Sequence, residues 1–259
     1  MAIVRLRPGD LRRAITDNAL SLQFQPQVFV QTGKLVGAEA FVRWPHPSYG
    51  MIGPGDIIPL VEQGSFHVEF DRWVLTALCD QIKRWDAEGF DVPIVAVNLW
   101  SQTLRSADVV DMVRKIVLAT GVRVSAIEVE VPNGTLRDPA LAEAARRLRV
   151  LGVRVATEEL TDPALASAAT DFDTLKIGYP IVRELGIAGS RSGDAVSAVV
   201  DAAHAVGARV VADSVELAEQ EDALVALGCE IVQGYLYGPE VSSAELKTLA
   251  AVGVRPAVE

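Results

Sequence analysis

Carboxylates, an asparagine and one lysine recur along or at the ends of the chain's short apolar runs. Glu39 and Arg43 lie on one such run, and Asn98 is near the end of another. Glu128 and Glu130 share a face of a third, Glu158 and Glu159 close a fourth, Lys176 sits in a fifth, Asp213 is near the end of a sixth, and Gln233 falls in the last. Hard oxygen donors of this kind suit Mg²⁺ or Mn²⁺. With a lysine among them they could hold a phosphate ester for hydrolysis, the ions stabilising charge and supplying an activated water. A lone carboxylate at a strand end is ordinary surface chemistry, but oxygen donors arriving from at least five runs are less readily explained by solubility. The three histidines, His46 in a Pro-flanked loop and His67 and His204 in helical segments, lack metalloprotease spacing and read as structural or surface residues.

The runs that carry these side chains are rich in Val, Ile and Leu and alternate with segments of helical period. Eight are recognisable: 22–30, 35–44, 93–100, 126–132, 153–159, 173–178, 208–214 and 230–237. Amphipathic helices are predicted over 70–89, 103–120, 138–151, 191–206 and 215–227, with Gly121, Gly152, Gly207 and Gly228 placed to end four of them. Strands alternating with helices predict an α/β fold, a TIM-like (β/α)₈ barrel whose chemistry sits at the carboxyl ends of the strands. The first two runs are separated only by 31–34, too short for a crossover helix, so they predict one antiparallel pairing. No linker or low-complexity stretch divides the chain, which reads as a single domain over 1–259.

Lys plus Arg number 24 and Asp plus Glu 34, a net charge of −10. That balance argues against nucleic acid or an anionic membrane as partner, since both require a basic surface. A small phosphate ligand held by a few placed cations or a metal remains compatible with it. The two cysteines, Cys79 and Cys229, make no disulfide framework, and no apolar stretch approaches a membrane-spanning length, so a cytoplasmic protein is expected.

Several segments together carry a family resemblance: F-Q-P-Q-V at 24–28, G-A-E-A-F-V-R-W at 37–44, V-N-L at 97–99, L-K-I at 175–177 and L-G-C-E-I-V-Q-G-Y-L-Y at 227–237. The chain resembles the EAL family of cyclic di-GMP phosphodiesterases, in order, from about Leu11 to about Leu246. The resemblance implies a TIM-like barrel with one antiparallel strand and a tendency to dimerise. In active members it implies two Mg²⁺ or Mn²⁺ ions that support hydrolysis of cyclic di-GMP to linear pGpG. It assigns metal binding to Glu39, Asn98, Glu128 and Glu158, a catalytic role to Lys176 and Glu216, and ligand contacts to Gln25, Arg43, Asp71, Glu216 and Gln233. Glu128 aligns with the first acid of the family's E-x-T-E, leaving Glu130 on its threonine and Val131 on its second acid.

The chain departs from the family pattern at several of these positions. The D-D-F-G-T-G signature reads Glu158-Glu159-Leu160-Thr161-Asp162-Pro163, and the stretch from there to Lys176 is shortened. The aspartate of K-I-D is Gly178, and the first glutamate of A-E-G-V-E is Asp213 while the second is kept as Glu216. The carboxyl-terminal Gly238-Pro239-Glu240 lacks the arginine usual there. Two ions about 3.5–4 Å apart tolerate little displacement of their oxygens, so damaged metal positions beside kept ligand positions indicate a degenerate member acting as a cyclic di-GMP receptor that signals to a protein partner. Two alternatives stand beside it: a weakly active metal-dependent phosphodiesterase, and a nucleotide-independent docking module built on the altered 160–171 loop.

Overall fold

The computed structural model describes residues 6–132, 135, 137–158, 160, 171–187 and 189–256. Its strands are β1 (Ser21–Phe29), β2 (Lys34–His46), β3 (Gly50–Ile52), β4 (Val95–Asn98), β5 (Ile127–Val131), β6 (Arg154–Thr157), β7 (Thr174–Ile177), β8 (Arg209–Ala212) and β9 (Ile231–Val232). The later strands are almost wholly buried because helices cover one face and the barrel interior the other, which is why they read as continuous apolar runs. Pairing runs β1-β9-β8-β7-β6-β5-β4-β2 and closes through β1 with β2, leaving β3 appended to β2. β1 is antiparallel to both neighbours, and the remaining ring pairings are parallel. The eight-stranded barrel with one antiparallel strand is therefore as the sequence predicted.

Ten α-helices are found among the described residues: α1 (Pro8–Thr16), α2 (Pro54–Gly64), α3 (His67–Ala87), α4 (Ser101–Leu104), α5 (Val109–Thr120), α6 (Pro139–Val150), α7 (Tyr179–Val182), α8 (Ser192–Val206), α9 (Ala218–Ala226) and α10 (Ser243–Val252). The single helix expected over 103–120 is two, α4 and α5. The break falls at Ser106 to Asp108, where the Ser106 hydroxyl accepts the Asp108 N–H at 3.4 Å in place of a helical carbonyl. Asp138 caps α6, accepting the Ala140 N–H at 2.9 Å, and Ser242 with Glu245 forms a capping box at α10. His46, expected in a loop, closes β2 opposite Gly50, with its ring against Trp44 and Tyr49.

β1 has no crossover helix of its own, and its outer face is covered by α3 and α10. Phe24 meets Trp85 of α3 edge-on at 4.8 Å, and the Trp85 indole donates to the Ser243 carbonyl of α10. Cys79 and Cys229 are buried free thiols. Among the described residues, no helix is long and apolar enough to cross a membrane.

Candidate functional site

Inside the barrel, polar side chains are sorted by height. The first residues of β6, β7 and β8 are Arg154, Thr174 and Arg209, and Glu128, near the start of β5, reaches the first two. Its Oε2 accepts from the Thr174 hydroxyl at 2.6 Å and pairs with Arg154 at 3.4 Å. Glu128 therefore plugs the amino-terminal end of the barrel and is not with the other proposed ligands. Glu130, two residues further along the same strand face, faces them instead. The motif alignment that favoured Glu128 is thus displaced by two residues, one full pleat of the strand.

The site centres on Lys176 of β7, which is only 2 % exposed. Its Nζ lies 2.7 Å from Glu39 Oε2 of β2, 2.9 Å from Glu130 Oε2 of β5 and 3.2 Å from Asp213 Oδ2 just beyond β8. Burial alone would lower the lysine pKa, but Glu130, Glu39 and Asp213 raise it well above its ordinary value. Glu130 is itself pushed upward, first by burial and then by Glu39, because one ammonium faces three carboxyl groups. Glu39 is further engaged by the Asn98 amide at 2.7 Å and the Gln233 amide at 2.7 Å. Asp213 accepts the Ser214 N–H at 2.6 Å, and Ser214 holds a left-handed φ of 61°, a strained conformation for a non-glycine residue next to the site.

Gln233 is fully buried and is bonded into this frame. Its amide nitrogen bridges Glu39 and Gln25 Oε1 while its oxygen accepts from Gln27 at 3.0 Å. The turn that follows is fixed by Gly234 at φ 148°, where a Cβ would stand 2.3 Å from the Val215 backbone. Asp71 on α3 is likewise buried, at 0 % exposed. It accepts the Trp100 N–H at 3.0 Å and so anchors the segment after β4 to α3. Burial pushes its pKa up to about 7, with Thr103 and the Trp100 N–H opposing.

Gln25 and Arg43 do face the carboxyl-terminal end of the barrel, and both are engaged by the 238–240 loop. Gln25 Nε2 donates to the Gly238 carbonyl at 3.3 Å, and Arg43 pairs with Glu240 at 3.2 Å while donating to its neighbour's carbonyl. Glu216 is exposed on the turn after β8, its N–H donated to Gln220. Glu158, just beyond β6, is exposed as a residue, but its carboxyl is partly desolvated toward the cluster: that desolvation raises its pKa, Lys176 lowers it and Glu39 raises it. Glu159 and residues 161–170, the altered loop singled out in the sequence, lie outside the described residues.

Beside the cluster, a cavity of about 560 Å³ opens between α2, α3 and the segment after β4. Phe41, Ile58, Phe70 and Trp100 give it apolar walls, and Asn98 and Glu158 place polar groups at its edge. A concave apolar site with a few convergent polar groups is the usual form of a small-molecule site.

The family resemblance implies a divalent pair, which would need carboxylates free to share an ion. Among the described residues, no three His, Cys, Asp or Glu side chains stand where they could share an ion. Glu39, Glu130 and Asp213 instead converge on the Lys176 ammonium, and both oxygens of Glu39 already accept hydrogen bonds. Gly178, at the end of β7, offers no carboxylate. As placed, the described donors do not fit two ions.

These features define a TIM-like barrel with a polar cluster and an apolar cavity at the carboxyl ends of its strands, the usual place for ligand chemistry in this architecture. Comparison with known families gives the assignment: residues 9–240 match the EAL domain model, and the chain belongs to the EAL-domain family. It is 32% identical over 244 residues to the bifunctional diguanylate cyclase/cyclic di-GMP phosphodiesterase MucR of Pseudomonas aeruginosa, covering 92% of this chain and 35% of MucR. It is 30% identical over 244 residues to the cyclic di-GMP phosphodiesterase NbdA of the same organism, covering 92% of this chain and 31% of NbdA. The chain thus spans about a third of the length of these relatives. Among solved structures, it is similar to the MucR phosphodiesterase in complex with cyclic di-GMP, at a TM-score of 0.81 and 30% identity over 92% of this chain and 98% of that one. The EAL domain of Mycobacterium smegmatis DcpA gives a TM-score of 0.74 and 28% identity over 92% and 100%.

Proposed function

We propose that this EAL domain, taken as one module over 1–259, binds cyclic di-GMP without a divalent cation, does not hydrolyse it, and passes its occupancy to a protein partner. The observation that carries the proposal is the Lys176 ammonium among Glu39, Glu130 and Asp213. A fixed positive charge there satisfies the acids from within the chain, which is the work a metal would otherwise do. The ligand class comes from the family and from relatives described as acting on or bound to cyclic di-GMP. Arg43 at the barrel mouth can meet a phosphate oxygen with the guanidinium arm not spent on the Val42 carbonyl, and the neighbouring cavity has room for an aromatic ring. In this reading Glu130, not Glu128, is the β5 acid of the site. Gln233 and Asp71 hold the frame, and Gln25, Arg43 and Glu216 face the ligand.

The test of the catalytic half of this proposal is product analysis. Purified protein is incubated with cyclic di-GMP and excess Mn²⁺ or Mg²⁺, and the nucleotides are separated by chromatography. The expected result is intact cyclic di-GMP. Linear pGpG that accumulates with metal and is lost in Glu39→Ala would replace the receptor reading with a slow phosphodiesterase.

A further inference from the structure

The 238–240 loop engages both Gln25 and Arg43. Glu240 lies 3.2 Å from Arg43, whose side chain is 9% exposed against 22% for its partner, so the pair is only partly screened by water. The Gly238 carbonyl takes the Gln25 amide at 3.3 Å. Arg43 Nη1 is spent on the Val42 carbonyl, so Glu240 holds the other arm of the fork, the one left for a phosphate oxygen.

We infer that Glu240 is an internal competitor: its carboxylate occupies the phosphate place at Arg43, and the nucleotide must displace it to bind. This rests on the proposed binding of cyclic di-GMP and adds an affinity-setting residue to it. Binding exchanges one ion pair for another, so the number of ions released changes little and the affinity depends weakly on salt. Removing the competitor frees the guanidinium in the unbound protein and leaves the nucleotide as its only anion.

The test is calorimetric titration of cyclic di-GMP in EDTA at two salt concentrations, using the wild-type chain, Glu240→Gln and Arg43→Ala. The exchange predicts that Glu240→Gln binds about two- to fivefold more tightly, the range expected for a partly exposed ion pair of up to about 1 kcal/mol. It also predicts a steeper salt dependence in that variant and no binding in Arg43→Ala. Thermal melts of all three establish that each is folded. Wild-type binding with Glu240→Gln equal or weaker would overturn the competition while leaving the receptor reading intact. Binding only in Glu240→Gln would support the competition in its strongest form. Silence in both folded proteins would overturn the receptor reading and the competition with it.

Discussion

Replacing Lys176 with methionine removes the only cation within 3.2 Å of Glu39, Glu130 and Asp213 among the described contacts and leaves the three acids facing one another. Breaking a buried ion pair from one side costs about 3–5 kcal/mol, because the surviving charge stays buried without compensation. At about 2–4 °C per kcal/mol for a chain of this size, the melting temperature should fall by roughly 6–20 °C at pH 8. The loss should shrink on acidification. Carboxyl groups whose folded pKa is raised hold protons that the unfolded chain has already released, so the variant loses stability as pH rises above the ordinary carboxylate range and recovers it as pH falls. Glu130, already pushed upward in the wild-type chain, is the group expected to take the proton. Differential scanning calorimetry of the wild-type chain and Lys176→Met at pH 5.5 and pH 8 measures both effects. A variant as stable as wild type at pH 8, or a deficit that grows toward pH 5.5, would refute the electrostatic account of the cluster.

Two further outcomes follow from the placement of individual acids. Because burial holds Asp71 at about 7, the folded chain keeps a proton there that the unfolded chain sheds from about pH 4, and wild-type stability declines across that interval on its account. Asp71→Asn keeps an acceptor for the Trp100 N–H, so its stability relative to wild type should rise between pH 5 and pH 8 in paired thermal melts; a relative decline would place a needed charge at Asp71. Glu128→Gln should cost about 2–3 kcal/mol in urea unfolding, since Arg154 and Arg209 lose their buried counter-charge, yet leave cyclic di-GMP affinity unchanged. Glu130→Gln should alter that affinity, and the reverse pattern would return Glu128 to the site.

Much of the barrel was legible because its strands are buried on both faces and its helices end at glycines, so period and punctuation agree. The antiparallel β1 followed from the shortness of 31–34 alone. What escaped were elements whose making is local: β3 is a three-residue strand, and the α4–α5 break depends on one hydroxyl at Ser106. The site was legible as a set of polar strand ends but not as a geometry. Glu128 and Glu130 share a face, and only the pairing of Glu130 with Asn98 at the end of β4 shows which lies at the mouth. That signal was present in the strand-end count, where Asn98 and Glu130 each stand near the close of a run. Asp71 and Gln233 are ligand contacts only by the family resemblance, and their burial depends on tertiary packing that no local spacing announces. Glu240 was noticed only for the arginine it lacks; its pairing with Arg43 spans most of the chain and leaves no local trace.

The central claim, that this domain binds its nucleotide without metal, is tested most directly by calorimetric titration of cyclic di-GMP into the wild-type chain, first in EDTA and then with excess Mn²⁺. The account predicts saturable binding in EDTA, with an affinity that Mn²⁺ leaves unchanged. Heat that appears only when Mn²⁺ is present would contradict it.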